Sequence, residues 1–414
     1  MASGLTNSTG VVNNHAPIYT TAKDRTDSNP STRVSYLDDL ADFSVAEVEV
    51  LYKEHNKPCV YDRTGEGGVA YHLKWDDWST TTDNTASTLD GTDGDVCIEM
   101  DRVWWKAWKN GNYDMFSWTY EKPSHSLHGF KPWAHYKGSD NTVPHIYPGA
   151  FKFAENSSYL GSYVDATAKP ARSQNMTSFE TNCKKLVGTN NKAEYTLARM
   201  ATYTLIREMH DAVSKSTDSQ GYFGNGVVSE SGSEANLHVN SDGYDATHMM
   251  RAATPITTGK AGVNSLGFNN LWGNVYEFCG QAAYANRHFK CNYLNDAASY
   301  VAAIASASYS TLPSSWYETT EAALPMAGAW QYPNGDLNEG PCAAMAATTT
   351  SGSGTSTYYC DGTYMPVSAT NNCVRFGGAL NGGAFAGLRC CYLSHALSDS
   401  DWHIGARLLI IPPV

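Results

Sequence analysis

Apolar residues recur at helical spacing in two parts of the chain and alternate at strand spacing in several others. In Ser44-Val-Ala-Glu47 a serine precedes a glutamate by three residues, which is a capping-box pattern. Val45, Val48, Leu51 and Tyr52 then share one helical face, so the spacing predicts a helix from residue 45. The longest helical pattern covers about 193–214, with Met200, Tyr203, Ile206, Met209 and Val213 as its buried stripe. Thr177-Ser-Phe-Glu180 reads as a second capping box, opening a short helix that Gly188 ends. Pro58-Cys-Val-Tyr61 and Gly68-Val-Ala-Tyr-His-Leu73 read as strands around a glycine-rich turn. Val96-Cys-Ile-Glu-Met100 and Val103-Trp-Trp105 are further strand candidates, and 404–411 is apolar enough for a buried strand.

These elements predict an α+β fold: a loop-rich domain with short antiparallel strands and two or three helices, preceded by a small N-terminal module. Residues 1–33 are rich in Ser, Thr, Asn and Asp without apolar periodicity, and so form a flexible leader or an arm that orders on an assembly partner. Residues 34–92 make the small module, with a polar Thr-, Asp- and Gly-rich linker over 83–95. Residues 93–414 make the main domain, in which short strands alternate with Gly/Ser/Thr loops such as 348–356. No internal repeat is visible.

Composition narrows the function. Hydrophobic residues are 42% of 414 and charged residues only 17%, which excludes disorder over the whole length. A net charge of −12 without a Lys/Arg cluster argues against nucleic acid and against an anionic membrane surface. No run of about 18 apolar residues predicts a transmembrane helix. The N-terminus lacks the basic start and apolar run of a secretory signal, so synthesis in the cytoplasm is expected. The ten cysteines scatter without CxxC spacing and read as buried thiols.

Several chemical signals do not mature. Asp90-Gly-Thr-Asp-Gly-Asp95 resembles a calcium loop but has Asp101 where the twelfth-position glutamate belongs. His125 and His128, with His135 nearby, lack companion Cys or acidic ligands. Trp104-Trp105 and Trp108 read as core. No P-loop, GxGxxG, GxSxG or HExxH pattern occurs. Neither a metal nor a cofactor is expected.

The last forty residues are different. Framework residues (Gly, Trp, Ile, Leu) alternate with an assorted set: Phe385, Arg389, Tyr392, Ser394, His395, Asp399, Asp401 and His403. Such a set on a stiff frame suits a recognition surface better than a reaction centre, and aromatic residues with Arg are typical of binding hot spots.

Two stretches carry a family resemblance. Leu266-Gly-Phe-Asn-Asn-Leu-Trp-Gly-Asn-Val-Tyr-Glu-Phe278 resembles the GNVWEW-type segment of the formylglycine-generating-enzyme branch of the C-type-lectin fold. Arg375-x-Gly-Gly followed by Gly405-Ala-Arg-Leu408 is similar to that branch's closing RGGS…GFR pattern. Together, over about 95–414, they look like the variable proteins of diversity-generating retroelements, which include phage tropism determinants at tail-fibre tips. His145-Ile-Tyr-Pro-Gly-Ala-Phe151 and Arg33-Val-Ser-Tyr-Leu-Asp-Asp39 also look like phage tail-fibre proteins. The branch's enzymes use a cysteine pair shortly after the RGGS segment; Gly382 and Gly387 stand there in this chain, and Cys390 and Cys391 lie beyond that spacing.

The resemblance implies a non-enzymatic receptor-binding protein of a virion tail fibre, homotrimeric, with other tail proteins and a host-surface protein or glycan as partners. Its variable region would span about 373–409. The positions implied as variable are Ala379, Leu380, Phe385, Arg389, Tyr392, Ser394, His395, Asp399, Asp401 and His403, none of them Trp, Met, Lys, Glu or Gln, the types that randomised NNY codons cannot encode. The implied framework is Gly377, Gly378, Trp402 and Gly405, with a buried carboxylate–guanidinium pair between Glu277 and Arg407 or Arg375. The alternatives are an oxidase of the formylglycine-generating type and a structural tail protein that is not diversified.

Overall fold

The computed structural model describes residues 16–123, 129–138, 141–155, 159–294, 308–368 and 371–414. It is β-dominated and rich in loops, with four α-helices among the described residues, more than the two or three expected. No helix among them is long and apolar enough to cross a membrane.

Three sheets organise the molecule. The first has four strands, in the order Val34–Asp38, Tyr19–Asp24, Tyr113–Thr119, Trp104–Asn110. The second has seven, in the order Glu194–Leu197, Arg407–Ile411, His145–Lys152, Asp95–Asp101, Asn56–Tyr61, Val69–Lys74, Asp77–Thr81. The third runs Tyr317–Glu318, His288–Cys291, Tyr276–Ala285, Asn372–Gly377, Gly387–Tyr392, Thr363–Met365, Ala329–Gln331, and Ile404–Gly405 joins it on Tyr276–Ala285. Pairing is mainly antiparallel, but Thr363–Met365 runs parallel to Gly387–Tyr392, and Ile404–Gly405 parallel to Tyr276–Ala285.

The separate module expected over 34–92 is corrected by the second sheet. Asn56–Tyr61 pairs along its whole length with Asp95–Asp101, so the boundary at 92/93 falls inside a sheet. The polar linker ends early for the same reason: Asp95 is a buried strand residue whose carboxylate takes the Arg63 guanidinium at 2.8 Å. Of the predicted N-terminal leader, residues 1–15 lie outside the described residues, while Tyr19–Asp24 is an interior strand of the first sheet. Lys23 on that strand is buried against carboxylates of distant segments, which a free leader would not supply.

The helix Val45–His55 follows the capping box: Ser44 Oγ accepts the Glu47 N–H, and the Glu47 carboxylate accepts the Ser44 N–H at 2.7 Å. The short helix Met176–Asn182 is instead capped by Asn175, two residues before the predicted start, because its Oδ1 accepts the Ser178 N–H at 2.9 Å. The longest pattern divides. Glu194–Leu197 is a strand along Arg407–Ile411, and the helix occupies Met200–Ser214. Every residue of that helix is buried, including Arg207, Glu208, His210 and Asp211, so the single stripe understated its burial.

Arg407–Ile411 is buried on both faces, which is why it reads as a continuous apolar run. Each of Leu408, Leu409, Ile410 and Ile411 is completely inaccessible, worth roughly 1.5–3 kcal/mol apiece. His135 is buried too, and burial pushes its pKa down to about 3. His125 and His128 lie outside the described residues.

Candidate recognition surface

The C-terminal assortment sits on the third sheet. Asn372–Gly377 and Gly387–Tyr392 pair antiparallel, and between them the chain turns sharply at Gly377 and Gly378, with φ of +86° and +82°. The turn presses on Leu271-Trp272: a β-carbon at 377 would lie 2.5 Å from the Leu271 carbonyl oxygen, and one at 378 only 2.6 Å from Ala386 Cβ. Only glycine meets both demands.

On this frame the rings touch in an unbroken row. Phe385 stacks on Trp330 at 4.7 Å and on Tyr332 at 5.6 Å. Trp330 meets Tyr392 edge-on at 5.6 Å, and Tyr392 lies flat on Tyr364 at 4.5 Å with only 6° between planes. Tyr392 reaches His395 at 5.2 Å, His395 reaches His403 at 6.2 Å, and His403 meets Trp402 at 5.1 Å. All of these rings are half-buried. Trp402 rests on a small core of Val227, Leu237, Val275 and Leu380. Ser394 is exposed beside the row, and Val367, 80% exposed, extends its apolar rim near Gly328.

Carboxylates edge the histidines. Asp399 Oδ2 is 2.7 Å from His395 Nδ1, and Asp401 Oδ1 is 3.4 Å from His403 Nδ1. Both imidazoles nonetheless titrate below the ordinary histidine range, because burial and then the positive charge of Arg375 disfavour the imidazolium. Arg375 is buried beneath the row, its guanidinium 4.7 Å from the Tyr392 ring and 5.0 Å from the Tyr276 ring. Arg375 therefore supports the surface from below, and Arg407 is the residue that pairs with Glu277, at 2.8 Å.

Three of the ten expected variable positions are not on this surface. Ala379 packs with Tyr276 and Cys390, and Leu380 is inaccessible in the core under Trp402. Arg389 points inward: its side chain binds Asp336 at 2.8 Å, Asp211 at 2.6 Å and Glu208 at 3.1 Å. The strand Gly387–Tyr392 is buried on both faces over most of its length, so alternation cannot deliver Arg389 to solvent. Phe385, Tyr392, Ser394, His395, Asp399, Asp401 and His403 remain accessible.

The surface also contains residues outside the C-terminal segment. Trp330 and Tyr364 arrive on the short strands Ala329–Gln331 and Thr363–Met365, and the parallel register places Tyr364 directly beside Tyr392. Their only sequence signal is an aromatic residue in the middle of each three-residue strand. All ten cysteines are buried, and burial pushes the Cys390 and Cys391 thiols well up.

No family model matches the chain, and no curated protein matches it. A solved structure, Major Tropism Determinant U1 Variant, is similar to it across 86% of this chain and 73% of its own, with 11% identity and a TM-score of 0.27.

Proposed function

We propose that this chain is a non-enzymatic receptor-binding protein of a phage or prophage tail fibre, with a C-type-lectin-like domain that presents the aromatic–histidine row to a host-surface ligand. The continuous row from Tyr332 through Phe385, Trp330, Tyr392 and His395 to Trp402 supports this reading, because large amphipathic rings supply contact area at low entropic cost. Phe385, Tyr392, Ser394, His395, Asp399, Asp401 and His403 form the variable set under this proposal. A homotrimer held by other tail proteins would convert weak single-site binding into avidity. The oxidase alternative needs an accessible, ionised thiol, and burial disfavours ionisation of Cys390 and Cys391.

The test is binding of the fluorescently labelled chain to a panel of bacterial strains, read by flow cytometry. A subset of strains should bind the wild type. Phe385→Ala with Tyr392→Ala should reduce that binding at least about thirtyfold, matching a hot-spot loss of roughly 2 kcal/mol. Both rings are half-buried and packed on neighbours, so the melting temperature is measured alongside and binding is compared at a temperature where the double variant is folded. Equal binding by the double variant sinks the assignment of the surface. Sequenced isolates of one lineage should differ at the seven accessible codons; differences spread evenly along the gene favour the structural tail protein.

A further inference from the structure

We propose that Glu99, Asp101 and His145 form a binding site for a divalent transition-metal cation, on the second sheet and outside the row of rings. Glu99 and Asp101 are two apart on the strand Asp95–Asp101 and so project from the same face. His145 opens the neighbouring strand directly opposite Asp101. One ligand atom from each of the three lies within 4.8 Å of the others. His145 Nδ1 is 3.1 Å from Asp101 Oδ1 and 4.0 Å from Glu99 Oε1. A tetrahedral cation with bonds of about 2.1 Å holds its ligands roughly 3.4 Å apart, within reach of small side-chain rotations here.

The donor set is also suited to a cation. His145 Nδ1 is shielded from water and faces Asp101 Oδ1 at 3.1 Å, so a cation would take the place of the proton the two groups share. Asp101 is oriented from behind: His55 Nδ1 holds its other oxygen at 2.9 Å, and the His55 ring stacks on Tyr120 at 3.5 Å. Metal ligands are commonly fixed by such outer partners. Glu99 is held from its other side by His72, whose Nε2 lies 3.4 Å from Glu99 Oε2. Two carboxylates with imidazole favour zinc-class ions over magnesium. A competing charge is Lys57, whose ammonium is 4.0 Å from Glu99 on a half-exposed stem. Arg102 is engaged elsewhere, donating to Thr142 Oγ1 at 2.8 Å. A cleft of about 370 Å³, lined by His55, Asp101, Tyr120 and His145, gives solvent access.

The experiment titrates chelator-treated full chain with Co²⁺, read by visible absorption, and with Zn²⁺, read by calorimetry. Saturable binding at one site is expected. Asp101→Asn and His145→Ala should each weaken it at least a hundredfold, and His55→Ala roughly ten- to hundredfold. His248→Ala, an exposed histidine paired with Asp245, should bind as the wild type does. His145 is a third exposed, so its variant keeps the test open if Asp101→Asn fails to fold. Absence of saturable binding by the wild type, or equal affinity in His145→Ala, overturns the proposal.

Discussion

Glu277→Gln is expected to cost about 3–5 kcal/mol of folding stability, read as a lowered denaturant midpoint in equilibrium unfolding. Glu277 is completely buried and serves three segments at once. Its Oε1 accepts from Arg407 Nη2 at 2.8 Å and Lys152 Nζ at 2.7 Å, and its Oε2 accepts the Tyr203 hydroxyl at 2.6 Å. Arg407 spends its remaining donors on the carbonyls of Gly149, Ala150 and Asn269. The glutamine removes the only negative charge of this cluster and leaves two cations in the core. Total stability is typically only about 5–15 kcal/mol, so a loss of this size is large. Arg407→Ala should act in the same direction, and an unchanged melting temperature in both variants would refute a stabilising role for the pair.

The pH dependence follows from the same charges. Burial alone would raise the Glu277 pKa, but Arg407 and Lys152 outweigh it and bring it to about 2. One carboxylate cannot fully neutralise two cations, and burial together with Arg407 brings Lys152 down to about 8 despite Glu277. A carboxylate whose folded pKa lies below its unfolded value stabilises fully above the unfolded value, near 4.5, and loses that contribution as pH falls through about 2. The stability difference between wild type and Glu277→Gln should therefore shrink between about pH 4.5 and pH 2. A difference that stays constant over that window would be incompatible with an ionised Glu277 in the fold.

Arg389→Ala is expected to destabilise by a similar amount, about 3–5 kcal/mol, for a related reason. Arg389 and Lys23 set two buried positive charges against the three carboxylates of Glu208, Asp211 and Asp336 in the interior. Without the guanidinium, three buried carboxylates share one ammonium, and at least one must take up a proton or draw in water. Arg389→Lys should restore only part of the loss, because an ammonium cannot reproduce the forked contacts to Asp336 and Asp211. Under the proposed diversification, isolates should then keep arginine at 389, even though the codon lies within the variable region. A folded natural variant with another residue there, equally stable, would show that the cluster does not need it.

How far the sequence could be read differed by element. The capped helix at 45 and the strands read at 58–61 and 68–73 were legible because each depends on neighbours a few residues away. The apolar run 404–411, read as one strand, instead divides between Ile404–Gly405 in the third sheet and Arg407–Ile411 in the second. The helix start at Asn175 was missed because Asn and Thr both cap well, and the pattern Thr-x-x-Glu outweighed a plain Asn. The strand Glu194–Leu197 was absorbed into the helix because four residues beside a strong helical period carry no independent signal.

The surface shows the same limit. Phe385, Tyr392, Ser394, His395, Asp399, Asp401 and His403 were separable from their glycine frame by residue type alone. Arg389 was grouped with them because an arginine among aromatics reads the same whether it faces a ligand or a buried carboxylate. Its three acidic partners lie 53 to 181 residues away, and no local pattern announces them. Trp330 and Tyr364 were missed because a parallel register, not sequence proximity, brings them beside Tyr392.

By itself the sequence marked the capped helix from residue 45, the buried stripe of the helix Met200–Ser214 and the glycine turn at Gly377-Gly378. These follow from hydrogen bonding, backbone sterics and side-chain chemistry acting over a few residues. Tertiary structure alone decided which of the C-terminal side chains reach solvent, which charges pair with one another in the core, and which distant rings complete the surface. Burial and charge pairing depend on segments far apart in the chain, and only the closed sheets fix those neighbours.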